Sequence, residues 1–183
     1  SYYVATLLTT LIVSYIATGA CFIYIAIEGW FLSVGDVFLI LIDVFLLTLF
    51  GTAISSIINS FLSTQGQISA VGTIVSAGYG FICGAYMPIS QFSPFLQKAI
   101  AFLPGTYGTS LIRNHALNGV YKEMANQFPA EVIEGIKDSI DCNIYFFDNK
   151  VSIPAMYIIL ICSIIVLIGA YVLINALKNR KAR

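Results

Sequence analysis

The chain of 183 residues is 58% apolar and only 10% charged, with a mean hydropathy of +0.89. Soluble domains carry about a quarter charged residues, so an ordinary water-facing domain is excluded and a bilayer is the expected solvent. Formal net charge is zero, which leaves no global field to attract nucleic acid or an acidic ligand.

Four apolar runs, at roughly 2–27, 37–59, 67–88 and 152–177, reach the about 20 residues that about 30 Å of hydrocarbon demands of a helix. Lipid offers the backbone no partner, so the expected fold is all-α: a polytopic integral membrane protein with four transmembrane helices in one domain over 1–183. Tyr2 and Tyr3 on one side and Trp30 on the other bracket the first span, as interfacial aromatic belts do. Asp36 is placed to cap the second span, which ends in the polar stretch Ser55-Ser56-Ile57-Ile58-Asn59-Ser60. On the third span Gly72, Ser76, Gly80 and Gly84 recur every four residues and form a ridge of small side chains. Such a ridge lets another backbone approach closely, either within the chain or from a second copy or partner helix.

Three prolines interrupt the segment after the third span. Phe92, Phe95, Leu96, Ala99, Ile100 and Leu103 share one face of a helix over about 93–103, opposite Ser90, Gln91, Gln97 and Lys98. Ser93 suits its cap and Pro94 its first position. One-sided and too short to span, this helix is expected to lie in the outer leaflet or re-enter it. Pro104-Gly105 ends it, and a second short helix over about 106–117 is closed by Asn118-Gly119. A polar insertion over about 120–150 follows, with a helix opened by Pro129 and the cluster Tyr145-Phe146-Phe147 at headgroup level. It is too small for a core of its own.

Lys178, Arg180, Lys181 and Arg183 follow the last span, and cytoplasmic flanks carry the basic excess. Both termini and Ser60–Gln67 are therefore expected in the cytoplasm, with Glu28–Asp36 and Ile89–Val151 outside. The chain opens on Ser1-Tyr2-Tyr3-Val4 without an initiator Met and already inside an apolar run, so it reads as part of a longer one. A signal peptide is not expected here, since no basic n-region or small-residue cleavage site goes with a short apolar core. Cys21, Cys83 and Cys162 sit in spans and Cys142 in the insertion, and none has metal-ligand spacing.

Asp43 lies within the second span, where an acid costs a few kcal/mol unless it is paired or hydrated. It is either a site for a cation or proton on a transport pathway, or a hydrogen-bonded group joining helices through a neighbouring Ser or Thr. Arg113 suits a lipid phosphate or an anionic substrate, or simply snorkels. His115 has no evident second ligand or nucleophile nearby. No phosphate-binding loop, zinc motif or nucleophile elbow is present, so catalysis by this chain is not expected.

Gly84 and Pro88 in GAYMP, the internal Pro94, then Pro104, Thr106 and Tyr107 in PGTYGTSLIR, and finally Arg113 and Gly119 form an ordered set. That order resembles the exporter permeases of the ATP-binding-cassette superfamily, specifically the type-2 group. The resemblance implies that the four spans look like the last four of a six-span subunit, without the first two spans and the cytoplasmic coupling helix. It also implies a second permease half and two ATP-binding subunits as partners. ATP and Mg would be held by those subunits, with no cofactor in this chain. Drugs, lipids, peptides or polysaccharide are the implied cargo, and Asp43, Gly84, Pro88, Pro94, Pro104, Tyr107 and Arg113 the candidate pathway or gate. Two other readings stay open: a secondary transporter using Asp43, or a membrane-anchored sensor or assembly protein that binds a partner through its insertion.

Overall fold

A computed structural model of the chain describes residues 2–147 and 149–181. In chain order the elements are α1 (Tyr2–Glu28), α2 (Val34–Asn59), α3 (Gln65–Ile82), a 3-10 turn (Ile89–Gln91), α4 (Pro94–Ile100), α5 (Pro104–Met124), α6 (Ala130–Ser139), the strands β1 (Tyr145–Phe146) and β2 (Asn149–Lys150), and α7 (Ile153–Lys181). The all-α expectation holds except for the two-residue strands, which form an antiparallel hairpin in the insertion. The basic terminal residue Arg183 lies outside the described residues.

Among the described residues three helices are long and apolar enough to cross a membrane: Tyr3–Glu28, Val34–Asn59 and Ile153–Lys178. The expected third span over 67–88 is helical only as α3, whose 18 residues rise about 27 Å. Thr64 and Gln67 form a capping box at its start. At its end Gly84 turns left-handed with φ 78°, its N–H donates to the Phe81 carbonyl at 3.2 Å, and the Ala85 N–H donates to Gly80 at 2.9 Å. This pair of bonds closes a helix and is easiest for glycine, so Gly84 rather than Pro88 ends α3. Pro88 instead precedes the 3-10 turn.

The second span starts three residues earlier than the Asp36 cap implies. Ser33 is the cap, its hydroxyl accepting from the Asp36 N–H at 3.2 Å, and Asp36 is the third helical residue, whose carboxylate accepts from the Ser33 N–H at 3.0 Å. α4 is shorter than expected: Ser93 stands at its cap without a side-chain bond, Pro94 opens it, and of its apolar face only Ile100 is buried. Phe95 is 84% exposed.

α5 departs most from expectation. It runs through Asn118-Gly119 to Met124 and buries Gly105, Thr106, Tyr107, Gly108, Ser110, Leu111, His115, Gly119 and Tyr121. Tyr107 and Leu111 share the main core with Phe50 of α2, Ile100 of α4 and Met156, Leu160 and Ile164 of α7. Along α2 the register is antiparallel, with Gly108 against Leu47, His115 against Asp43, Asn118 against Asp36 and Gly119 against Phe31 just before α2. α5 therefore begins beside the middle of a span, not at the surface. At the opposite end of α2, the Lys178 ammonium of α7 donates to the Ser60 carbonyl and lies 5.5 Å over the Phe61 ring.

The insertion borrows its core from α5: Tyr121, Ile133 and Cys142 pack together with Leu117, Met124, Ile136 and Ile140. Burial raises the Tyr121 phenol and the Cys142 thiol above their ordinary values. Glu134 organises the surface of the insertion, accepting from Lys150 at 2.8 Å, Lys137 at 3.2 Å and the Asn143 amide at 3.1 Å. Those bonds, Lys150 first and Lys137 next, hold the Glu134 carboxyl down at about 2 against an ordinary 4.5. A depressed acid stabilises the fold above its unfolded value, and the contribution fades as pH falls toward the folded one. The hairpin should therefore loosen as pH drops from 4.5 toward about 2. In Glu134→Gln it should be loose already at neutral pH, as amide exchange across Tyr145–Lys150 would report.

Candidate transport cleft and its polar locks

α3 buries none of its residues, and a Cβ added at Gly72 would meet nothing within 4 Å. Gly72, Ser76 and Gly80 do not close on another helix of this chain. They line a cleft of about 400 Å³ whose far wall is Leu47, Gly51, Ile54 and Ser55 of α2. Tyr79 of α3, Cys83 just after it, and Gly105 and Thr109 of α5 form its end. The lining is mostly apolar, with Ser55, Asn59, Ser76 and Thr109 as polar points, a composition suited to an amphiphile.

The proline-rich segment folds so that α5 satisfies α4. Thr106 Oγ1 donates to the Ile100 carbonyl at 3.2 Å and the buried Tyr107 hydroxyl donates to Ala101 at 2.5 Å. The last carbonyls of α4, which no helix can satisfy internally, thus find donors one turn into the next helix. Pro94 and Pro104 stand where their missing N–H is not needed, in the first turns of α4 and α5. None of Pro94, Pro104, Thr106 and Tyr107 lines the cleft, which Gly105 and Thr109 of α5 do reach.

Arg113 bridges two segments. Its guanidinium donates to the Gly84 carbonyl and lies 3.5 Å from Asp141. Asp141, in the left-handed region at φ 57°, also accepts from the Ile89 N–H at 2.5 Å and the Ser90 N–H at 3.2 Å. One carboxylate thereby caps the 3-10 turn and joins it to α5. Arg113 is engaged by Gly84 and Asp141 within the protein itself.

Asp43 is fully buried at 0% exposure. Its Oδ2 lies 2.6 Å from His115 Nδ1 on α5, and its Oδ1 accepts from the Tyr157 hydroxyl on α7 at 2.5 Å. The imidazole and the phenol stack with centroids 6.2 Å apart. Among the described residues its hydrogen-bond partners are a histidine and a tyrosine, in place of the expected Ser or Thr. Tyr157 and Asp141 are the site residues that sequence reasoning did not single out, and His115, weighed there without a partner, is the one that meets Asp43. An acid inside a span demands a donor, and the one histidine of the chain was the signal that could have found it. The two locks are separate: Gly84 and Arg113 meet at Asp141, whereas Asp43 is held on the other side of α5.

The sequence model of the ABC-2 type transporter family matches residues 1–116, which run from α1 through most of α5 and take in the cleft, Asp43, Arg113 and His115. The chain belongs to that family. Comparison with curated proteins and with solved structures returns no match. As an ABC-2 type permease, the chain is a membrane-embedded multi-pass transport protein, and its three long apolar helices agree. Asp141, Tyr157 and the insertion lie beyond the matched residues.

Proposed function

We propose that this chain is the transmembrane subunit of an ATP-driven exporter, and that the cleft between α2 and α3 is its wall of the substrate pathway. The observation that carries this reading is that Gly72 and Ser76 of the small-residue ridge stand exposed across a cleft of about 400 Å³ in a family of transporters. An amphiphilic cargo, whether drug, lipid, peptide or polysaccharide, fits the apolar lining with its few polar points. In this reading a second permease copy covers α3 and completes the pathway. α3 completes a fourth crossing together with Cys83–Pro88. α4 and the start of α5 form a re-entrant pair, gated around Gly84, Pro88, Pro94 and Pro104.

ATP and Mg are held by a separate ATP-binding subunit, and this chain catalyses nothing itself. Both termini face the cytoplasm and the insertion faces outward, as the basic flank at Lys178 supports. Family membership favours this reading over a secondary transporter or a membrane-anchored sensor.

Two measurements test it. An ATPase subunit should copurify with the full-length protein and hydrolyse ATP faster in its presence. Ser76→Trp, which fills the cleft, should abolish most transport while membrane insertion stays normal. Unchanged transport in Ser76→Trp would remove the cleft from the pathway.

A further inference from the structure

Phenylalanines crowd an exposed patch where α4 meets the hairpin. The Phe102 ring packs edge-on against Phe146 and Phe147, with centroids 5.2 and 5.9 Å away, and those two lie 4.9 Å from each other. Phe95, Lys98 and Phe102 recur at i, i+3 and i+7 along α4 and the turn that closes it. All four rings stay exposed despite this packing. A contiguous apolar patch of this kind marks a surface that something covers.

The level of the patch along the bundle says what covers it. Ser110 and Asn114 of α5 donate to the Cys142 carbonyl, just before the hairpin, at 2.9 and 2.5 Å. On α5 they lie between Gly108 and His115, which meet Leu47 and Asp43 of α2. The segment feeding the hairpin is thus level with a point about 13–20 Å along α2 from Val34. Phe102 is no nearer that end. Its neighbour Ala101 accepts from the Tyr107 hydroxyl, and Tyr107 shares its core with Phe50 of α2. The rings therefore sit beside the body of the spans, where the outside of a membrane protein meets lipid.

Lys98 and Phe147 wall one cavity of about 210 Å³ together with Gln97, Asn143 and Tyr145. The Gln97 and Asn143 amides and the Tyr145 hydroxyl donate within the protein. The Lys98 ammonium has no hydrogen-bond or ion-pair partner among the described residues. A lone ammonium next to an apolar patch matches a phosphodiester joined to acyl chains. We propose that α4 and the hairpin bind a phospholipid, its acyl chain on Phe95, Phe102, Phe146 and Phe147 and its phosphate at Lys98. The proline-rich segment and the insertion are thereby tied to one leaflet. This needs only the membrane embedding of the chain, so failure of the transport cleft would leave it standing.

Bromine quenching of tryptophan reads the contact directly. Trp30 and any tryptophan elsewhere in the full-length protein are replaced by phenylalanine, and Phe147→Trp or Phe95→Trp supplies the one fluorophore. In phosphatidylcholine vesicles containing phosphatidylglycerol brominated on its acyl chains, both should be quenched by the lipid and little by aqueous iodide. Phe128→Trp is the control, because Phe128 is about as exposed as Phe147, 48% against 55%, but follows the far end of α5, about 30 Å from Pro104. Iodide and not the brominated lipid should quench it. Lys98→Gln should raise the fraction of brominated phosphatidylglycerol needed for half-quenching about fivefold, the factor one lysine near lipid phosphate contributes. Brominated diacylglycerol, which lacks the phosphate, should need a similar excess when Lys98 is intact. Iodide quenching at Phe147→Trp or Phe95→Trp would put the patch in water, and silence to both quenchers would put a second copy over it. Half-quenching unmoved by Lys98→Gln would remove the phosphate. Each of these results overturns the proposal.

Discussion

Gly119→Ala should strip most of the folded protein from detergent extracts. A Cβ there would overlap the carbonyl oxygen of Phe31, in the connection between α1 and α2. The obstacle is backbone meeting backbone, so no side chain can turn aside, and the two segments must separate. Overpacking of this kind costs roughly 1–3 kcal/mol where side chains can adjust and more where they cannot. That is a large share of the about 5–15 kcal/mol that holds a typical domain. The separation would also pull Asn118 from Asp36, a bond of 2.7 Å one residue away. Gly135→Ala is the contrast: it sits in α6 with nothing within 4 Å of an added Cβ, and should gain about 0.5–1 kcal/mol. Comparing the two melting midpoints checks both statements.

Asp141→Ala should unpin the proline-rich segment from the bundle. The substitution leaves the Ile89 and Ser90 N–H groups without their acceptor and the Arg113 guanidinium without its carboxylate. It also places alanine at φ 57°, a conformation that Asp and Asn tolerate better. Arg113 keeps the Gly84 carbonyl but loses its counter-charge in a mostly buried site, and with the two orphaned N–H groups the cost is on the order of 3 kcal/mol. Protease access and amide exchange should rise over 84–100 and 139–147 together, because one residue joins them. Asp141→Asn, which keeps the backbone preference and one acceptor, should fall between the two. A rise confined to 139–147 would show that the turn at Ile89–Gln91 is held by something else.

Both predictions depend on α5, where local signals misled. Asn118-Gly119 is a strong stop signal, and Pro104-Gly105 a strong break. In isolation the segment would be a short helix with frayed ends. Its glycines instead allow it to lie against α2, and the burial of Tyr107 and Leu111 supplies what helix propensity lacks. α3 went the other way. Hydropathy carried the expected span on to Pro88, but a left-handed Gly84 closed the helix and turned the chain toward Arg113.

What the amino-acid sequence determined by itself was the class of molecule. Runs of apolar residues as long as a bilayer is thick have one stable solution, so the three long helices and their order were readable. The order of Gly, Pro and Tyr elements pointed to the same family as the match over residues 1–116. Tertiary structure alone decided which residues meet: Asp43 with His115 and Tyr157, Arg113 with Gly84 and Asp141, and the α3 ridge with an open cleft. Periodicity and capping act within a few residues, whereas these partners lie 28 to 114 positions apart. Their pairing is set by the need of each buried charge for a donor or acceptor once the helices have packed.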